Sequence, residues 1–136
     1  MRSDADVKRL YQRAACLLLP ARALPGRIEG FGLVIVEAGA QGCPTVATKV
    51  GGIPEALGEG GTLVDIDDVE QSARAIAAYV HDPEKRRRDG AAARSNAATF
   101  TWAACARKTF PDLAWPTEGV AKERFSLSSA AMAGES

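Results

Sequence analysis

Two glutamates, Glu29 and Glu37, bracket a run that carries two glycines, Glu29-Gly30-Phe31-Gly32-Leu33-Val34-Ile35-Val36-Glu37. If a helix begins near Gly30, its first backbone N–H groups have no intrahelical acceptor, and the glycines leave them uncovered. The helix dipole adds partial positive charge at the same place. A diphosphate suits such a tip. Glu29 then sits just outside the helix and Glu37 about two turns into it, which puts the carboxylates about 10 Å apart along the axis. One can then accept hydrogen bonds from a sugar while the other accepts them from a ribose across a pyrophosphate. Spacing alone leaves a second reading open, in which the glutamates are a chance pair and the apolar run is only packing.

The elements that must position these groups follow from local pattern. Ser3 and Asp6 form a capping-box pattern ahead of Val7, Leu10, Tyr11 and Ala14 at helical spacing, which predicts a first helix. Cys16-Leu17-Leu18-Leu19, stopped by Pro20, predicts a strand buried on both faces and therefore in need of neighbours on both sides. Residues 20–29 read as a loop with two prolines, Gly26, Arg22 and Arg27. Leu33 to Val36 has strand propensity, yet Glu37 to Gln41 continues as helix, and pattern does not decide between them.

Gly42-Cys43-Pro44 ends that element, and Thr45-Val46-Ala47-Thr48 predicts a second strand. Gly51-Gly52 marks a turn ahead of a helix with Pro54 in its first turn. Gly60-Gly61 precedes a third strand, Thr62 to Asp65. Asp67 and Glu70 predict the cap of a helix whose core-facing side is Val69, Ala73, Ile76, Ala77 and Val80. Asp82-Pro83 restarts a charged, alanine-rich helix through about Ala98, and Thr101 caps another that contains Trp102 and Phe110 and ends at Pro111. Strands alternating with helices predict an α/β fold with a parallel sheet of about three strands flanked by helices. That is half of a doubly wound, Rossmann-like sheet. Residues 1–116 are expected to form one partial domain and residues 117–136, small and polar, a loose tail.

Composition narrows the function classes. The 136 residues hold one domain's worth of core, with 46% apolar residues. Seventeen basic residues balance 17 acidic ones, which gives no reason to expect nucleic acid or an anionic membrane surface as partner. Lys85-Arg86-Arg87-Arg88 is flanked by Glu84 and Asp89 and lacks interleaved aromatics, so it reads as a solvated helix face. The lone histidine, His81, reads as a surface residue. Cys16, Cys43 and Cys105 are far apart in sequence, read as idle thiols in a reducing compartment, and make no metal cluster with His81. Trp102 reads as a core anchor and Trp115 as part of the tail. No apolar run approaches the length of a membrane span, and the first residues lack a signal peptide's pattern. A cytoplasmic protein is expected.

The segment from Glu29 to Ala38, then Gly42-Cys43-Pro44-Thr45-Val46-Ala47-Thr48 and Gly51-Gly52-Ile53-Pro54-Glu55, resembles the retaining glycosyltransferases of family four. Several ordered motifs carry the resemblance, which runs from about Asp4 to Thr109: a Glu-x7-Glu pair, a Gly-Gly-x-Pro-Glu loop and Phe100-Thr101-Trp102. It implies the GT-B fold, two Rossmann-like domains with the active site between them, of which this chain would be the second half of the C-terminal, donor-binding domain. It also implies a helix from about Gly32. Glu29 would bind hydroxyls of the transferred sugar and orient it as the catalytic residue. The amides of Gly30, Phe31, Gly32 and Leu33 would hold the sugar and diphosphate, Glu37 the ribose hydroxyls, and Gly51 and Gly52 would let their loop approach the donor. No metal or other cofactor is implied, since the nucleotide-diphosphate sugar, with UDP or GDP unresolved, is itself the substrate.

Relatives carry an Arg and a Lys on the diphosphate, in a region with no match here, and Ala21 replaces a frequent serine. The expected partners are therefore the sugar donor, an unknown acceptor, and a missing N-terminal domain or partner chain. The alternative is a non-catalytic module that holds a nucleotide or docks on a partner. A third reading is a purely structural Rossmann-like domain that binds no nucleotide.

Overall fold

A computed structural model describes residues 4–22 and 32–109, the side chains of Trp102 and Cys105 excepted. Among the described residues, helices and strands alternate as far as β3 and three helices follow. The first element, α1 (Asp4–Arg13), carries Asp4 and Asp6 in its first turn and Arg13 in its last, charges that complement the helix dipole. Three strands, β1 (Leu17–Leu19), β2 (Thr45–Thr48) and β3 (Gly61–Val64), form one sheet in that order. Both pairings are parallel, with Leu17 opposite Thr45 and Thr45 opposite Gly61. Between the strands lie α2 (Leu33–Ala40) and α3 (Ile53–Leu57), and after them α4 (Val69–His81) and α5 (Pro83–Ala97). All of these belong to one compact unit, Met1–Thr101, and α6 (Trp102–Thr109) to another.

The central strand β2 is buried along its whole length. Successive side chains of a strand point to opposite faces, and Val46 and Ala47 accordingly enter different cores. Ala47 packs with Ile35, Val50, Ile53, Ala56 and Leu57 from α2 and α3. Val46 packs with Val64, Ala75 and Tyr79 under α4.

Helix α5 lies close enough to α2 that backbone meets backbone. A Cβ placed on Gly39 would stand 2.9 Å from the Ala93 carbonyl oxygen, and one on Gly90 would overlap the Gly42 carbonyl oxygen. From this position α5 also serves the ends of its neighbours. Arg94 Nη2 donates to the Gln41 carbonyl at the end of α2, and Asn96 Nδ2 donates to the Ala56 carbonyl of α3. These contacts satisfy carbonyls that helix ends leave open.

A buried polar cluster joins α4 to α5 and β3. The Tyr79 hydroxyl donates to Asp89 Oδ2 at 2.8 Å and shares a hydrogen bond with Thr62 Oγ1 at 3.1 Å. Lys85 Nζ reaches Asp89 Oδ2 at 2.6 Å, Arg88 Nε reaches Oδ1 at 3.1 Å, and the Lys85 ammonium stands 4.7 Å from the Tyr79 ring centre. Burial pushes the Asp89 carboxyl up, but hydrogen bonds from Lys85 and Tyr79 and the charges of Lys85 and Arg88 outweigh it and hold the group below its usual value.

The α/β class, the parallel sheet and the helices bearing Pro54 and Pro83 agree with expectation, and Asp82 caps α5 by accepting from the Lys85 amide. Four local readings need correction. Leu18 is 43% exposed, so β1 is not buried on both faces; in this sheet it is an edge. The cap of α4 is Asp68, which accepts from the Gln71 amide, while Asp67 sits one residue earlier with φ 63°. Gln71 Oε1 in turn accepts from the Asp65 amide, which explains why the box is shifted by one residue. The face of α4 is rotated as well: Val69 is 78% and Val80 51% exposed, and the core takes Ala75 and Tyr79, with Ile76 of the expected face packed against it. Tyr79 wins because its ring fills the space under β2 while its hydroxyl finds two partners. Finally, the basic run is not uniformly solvated, since Lys85 turns inward to Asp89. The Ser3 cap, most of the loop after Pro20, the end of the last helix, Trp115 and the tail lie outside the described residues, as does the side chain of Trp102.

Two stability measurements follow. Gly90→Ala would ordinarily favour a helix by roughly 1 kcal/mol, but overlap with the Gly42 carbonyl should reverse the sign and cost about 1–3 kcal/mol in urea unfolding. Asp89→Asn should cost about 1–3 kcal/mol near neutral pH. An aspartate with a depressed folded pKa stabilises above its unfolded value of about 3.9 and loses that contribution as pH falls through the folded value. The variant should therefore show a flatter decline of melting temperature below about pH 4 than the parent.

Candidate functional site

The carboxyl ends of parallel strands are where open α/β sheets hold ligands, and the described residues of the predicted site, Gly32, Leu33, Glu37, Gly51 and Gly52, follow β1 and β2. Helix α2 begins after Gly32, whose backbone is left-handed (φ 65°, ψ 52°) and whose lack of a side chain leaves the helix without a side-chain cap. The Ile35 amide donates to the Gly32 carbonyl at 2.8 Å. Among the described residues nothing accepts from the amides of Leu33 and Val34. The conformation suits glycine, and the fit is tight: a Cβ there would stand 3.1 Å from Ile35 Cδ1 and 3.7 Å from Ile53 Cγ1.

That last neighbour brings α3 to the α2 tip. Ile53 is the first residue of α3, and Gly51 (φ 52°) and Gly52 make the turn before it. Gly32, Leu33, Gly51 and Gly52 are thus gathered in one place. Leu33 is 68% exposed although it is apolar, and Glu37 stands one helical turn further along α2 on the same face. Glu37 is exposed, and no hydrogen bond or ion pair engages its carboxylate among the described residues. It faces α1. Burial, then the Glu37 charge, then Cys43 push the Tyr11 phenol up, and one turn away Gln12 Nε2 donates to Gln41 Oε1 at 2.9 Å. Glu29, Gly30, Phe31 and Arg27 lie outside the described residues.

The same edge holds groups outside the motifs, among them Arg22, an arginine able in sequence to reach an anion but more often simply exposed. Thr48, at the end of β2 and buried, donates its hydroxyl to the Ala21 carbonyl just past β1 at 2.6 Å. Lys49 Nζ meets Asp65 Oδ1 at 3.1 Å. Arg22 Nη2 meets Asp67 Oδ1 at 2.5 Å. The signal for these residues was position, since each follows closely on a strand whose end could be read from the sequence. Groups elsewhere bear little on the site. His81 is exposed at the end of α4. Burial, and then the nearby Cys16, push the buried Cys43 thiol up to about 11, and burial likewise raises Cys16, so neither is poised as a nucleophile. Among the described residues no group of three metal-ligating side chains gathers, and no helix is long and apolar enough to cross a membrane.

The family model described as "Glycosyl transferases group 1" matches residues 1–96. A D-inositol 3-phosphate glycosyltransferase of Corynebacterium diphtheriae is 48% identical over 109 residues, which is 79% of this chain and 24% of the relative. One from Streptomyces griseus is 43% identical over 99 residues, 71% of this chain and 20% of the relative. Among solved structures, the sucrose-phosphate synthase of Thermosynechococcus elongatus superposes with a TM-score of 0.62 at 33% identity, covering 81% of this chain and 27% of that one. The chain therefore spans about a quarter of the length of the proteins it matches.

Gly32→Ala tests the built tip. The left-handed backbone penalises a Cβ by about 1–2 kcal/mol, so urea unfolding should show a loss of that order. A neutral or stabilising result would mean that α2 starts with a different geometry.

Proposed function

The chain belongs to the group 1 glycosyl transferases, and from that premise we propose that it forms the part of such an enzyme that holds a nucleotide-diphosphate sugar. The observation that carries the reading is the glycine-led tip of α2 beside Gly51 and Gly52, with the unengaged Glu37 carboxylate one turn in. In this reading the amides from Gly30 to Leu33 hold the sugar and diphosphate, and Glu37 accepts from the ribose hydroxyls. Glu29 orients the transferred sugar through its hydroxyls. Preorganised amides and the dipole of α2 then stabilise charge as it develops on the leaving diphosphate, and the acceptor hydroxyl takes the sugar with its anomeric configuration retained.

The rest of the machinery belongs to the same proposal. β1 pairs on one side only, with β2, and an unpaired strand edge is a template for a further strand, here one from an N-terminal domain or partner chain. The acceptor would bind in the cleft between them. The names of the curated relatives make D-inositol 3-phosphate the first acceptor to try. A cytoplasmic setting, where nucleotide sugars are at hand, fits the reading.

Calorimetric titration with UDP and GDP, and with their sugar conjugates, tests it. Glu37→Ala should weaken binding of the preferred nucleotide by about 10- to 100-fold, the worth of hydrogen bonds to a carboxylate. Equal affinity in the variant would remove Glu37 from the site. Binding of a sugar nucleotide without turnover would point to a holding module that depends on its partner for catalysis.

A further inference from the structure

The reading above leaves the ion pairs at the sheet's carboxyl edge without a task. Arg22 stands three residues past β1, Lys49 directly past β2, and Asp65 and Asp67 past β3. Lys49 pairs with Asp65, and Arg22 pairs with Asp67 at 2.5 Å. The root of Arg22 is fixed. Its neighbour Ala21 packs against the core that contains Ile35 of α2 and Ile53 of α3, and accepts the buried Thr48 hydroxyl. The backbone of Arg22 is thus anchored next to the core under α2 and α3, with 67% of its side chain in solvent.

Asp67 is the one non-glycine residue with positive φ among those described. Aspartate enters this region at modest cost, and the turn ahead of α4 sets its carboxylate beside Arg22. Backbone outliers of this kind are a mark of functional edges. Here the outlier holds a carboxylate against an arginine in the place where an anion is expected.

We propose that Arg22 is a phosphoryl-binding residue of this site, and that Asp67 occupies its guanidinium until a phosphoryl group displaces it. The inference rests on the donor-holding reading and adds a cation to it. The fork of guanidinium N–H groups fits phosphoryl oxygens as it fits a carboxylate. A phosphoryl dianion carries more charge than the carboxylate it replaces. Asp67 loses little in the exchange, because its side chain is 60% exposed and water takes over from the arginine. The phosphoryl group belongs either to the donor diphosphate or to a phosphorylated acceptor.

Calorimetric titration of the whole chain with inorganic phosphate, with and without saturating UDP or GDP, tests the exchange. Arg22→Ala should weaken phosphate by about tenfold and Arg22→Lys by less, since a point charge replaces a fork. Asp67→Asn should tighten it by about threefold, because asparagine tolerates the same backbone while the competing charge is gone. Arg87→Ala, which removes an equal charge on α5, should stay within about twofold. Phosphate that competes with the nucleotide marks the donor diphosphate as the source; phosphate that binds beside it marks the acceptor. The proposal is overturned by a parent chain that does not bind phosphate, by Arg22→Ala that binds it unchanged, or by Asp67→Asn that weakens it as Arg22→Ala does. Failure of the nucleotide reading is seen separately, as nucleotide binding indifferent to Glu37→Ala.

Discussion

The rest of the structure depends on how closely α5 approaches α2. Where Gly39 faces Ala93 and Gly90 faces Gly42, main chain lies against main chain, a spacing that any ordinary side chain would prevent. Dispersion is gained over many such small contacts, and the approach brings α5 side chains within reach of other helix ends. Arg94 and Asn96 then close the carbonyl ends of α2 and α3. Both helices are thereby held from their far ends. Their near ends, the Gly32 tip and the Gly51-Gly52 turn, are gathered by the closeness of Gly32 to Ile53.

The second anchor is polar. Asp89 is buried with a tyrosine hydroxyl and two cations on its oxygens, and a buried carboxylate persists only with such company. The cluster fixes the rotation of α4 as well as its position. Tyr79 must point inward to reach both Thr62 and Asp89, and that turns Val69 and Val80 to the outside although they are the more obviously apolar residues. A polar requirement on one side chain here outranks an apolar stripe.

At the opposite, carboxyl edge the balance of charge differs. Helix and turn amides offer partial positive charge, while Arg22 and Lys49 are each matched by a carboxylate from the segment after β3. Among the described residues, the two cations of this edge are thus each balanced by a carboxylate.

Much of this was legible in order along the chain. Alternation of strand and helix, the prolines that start α3 and α5, and the Asp82 cap are local matters of dihedral angle and hydrogen bonding, and local sequence determined them. So did the grouping of Glu29, Glu37 and the glycines into a resemblance, which Glycosyl transferases group 1 bears out as a family. Tertiary structure decided the rest. Local pattern left Leu33 to Val36 between helix and strand; the resemblance implied helix, and α2, packed beside Ile53 and α5, is one. Which face of α4 is inside was decided by Asp89, ten residues from Tyr79 in sequence. The pairing of Arg22 with Asp67 joins residues that only a parallel sheet brings side by side. Periodicity reports what one element prefers alone, whereas burial, charge pairing and the closeness of two backbones depend on what the fold sets opposite it.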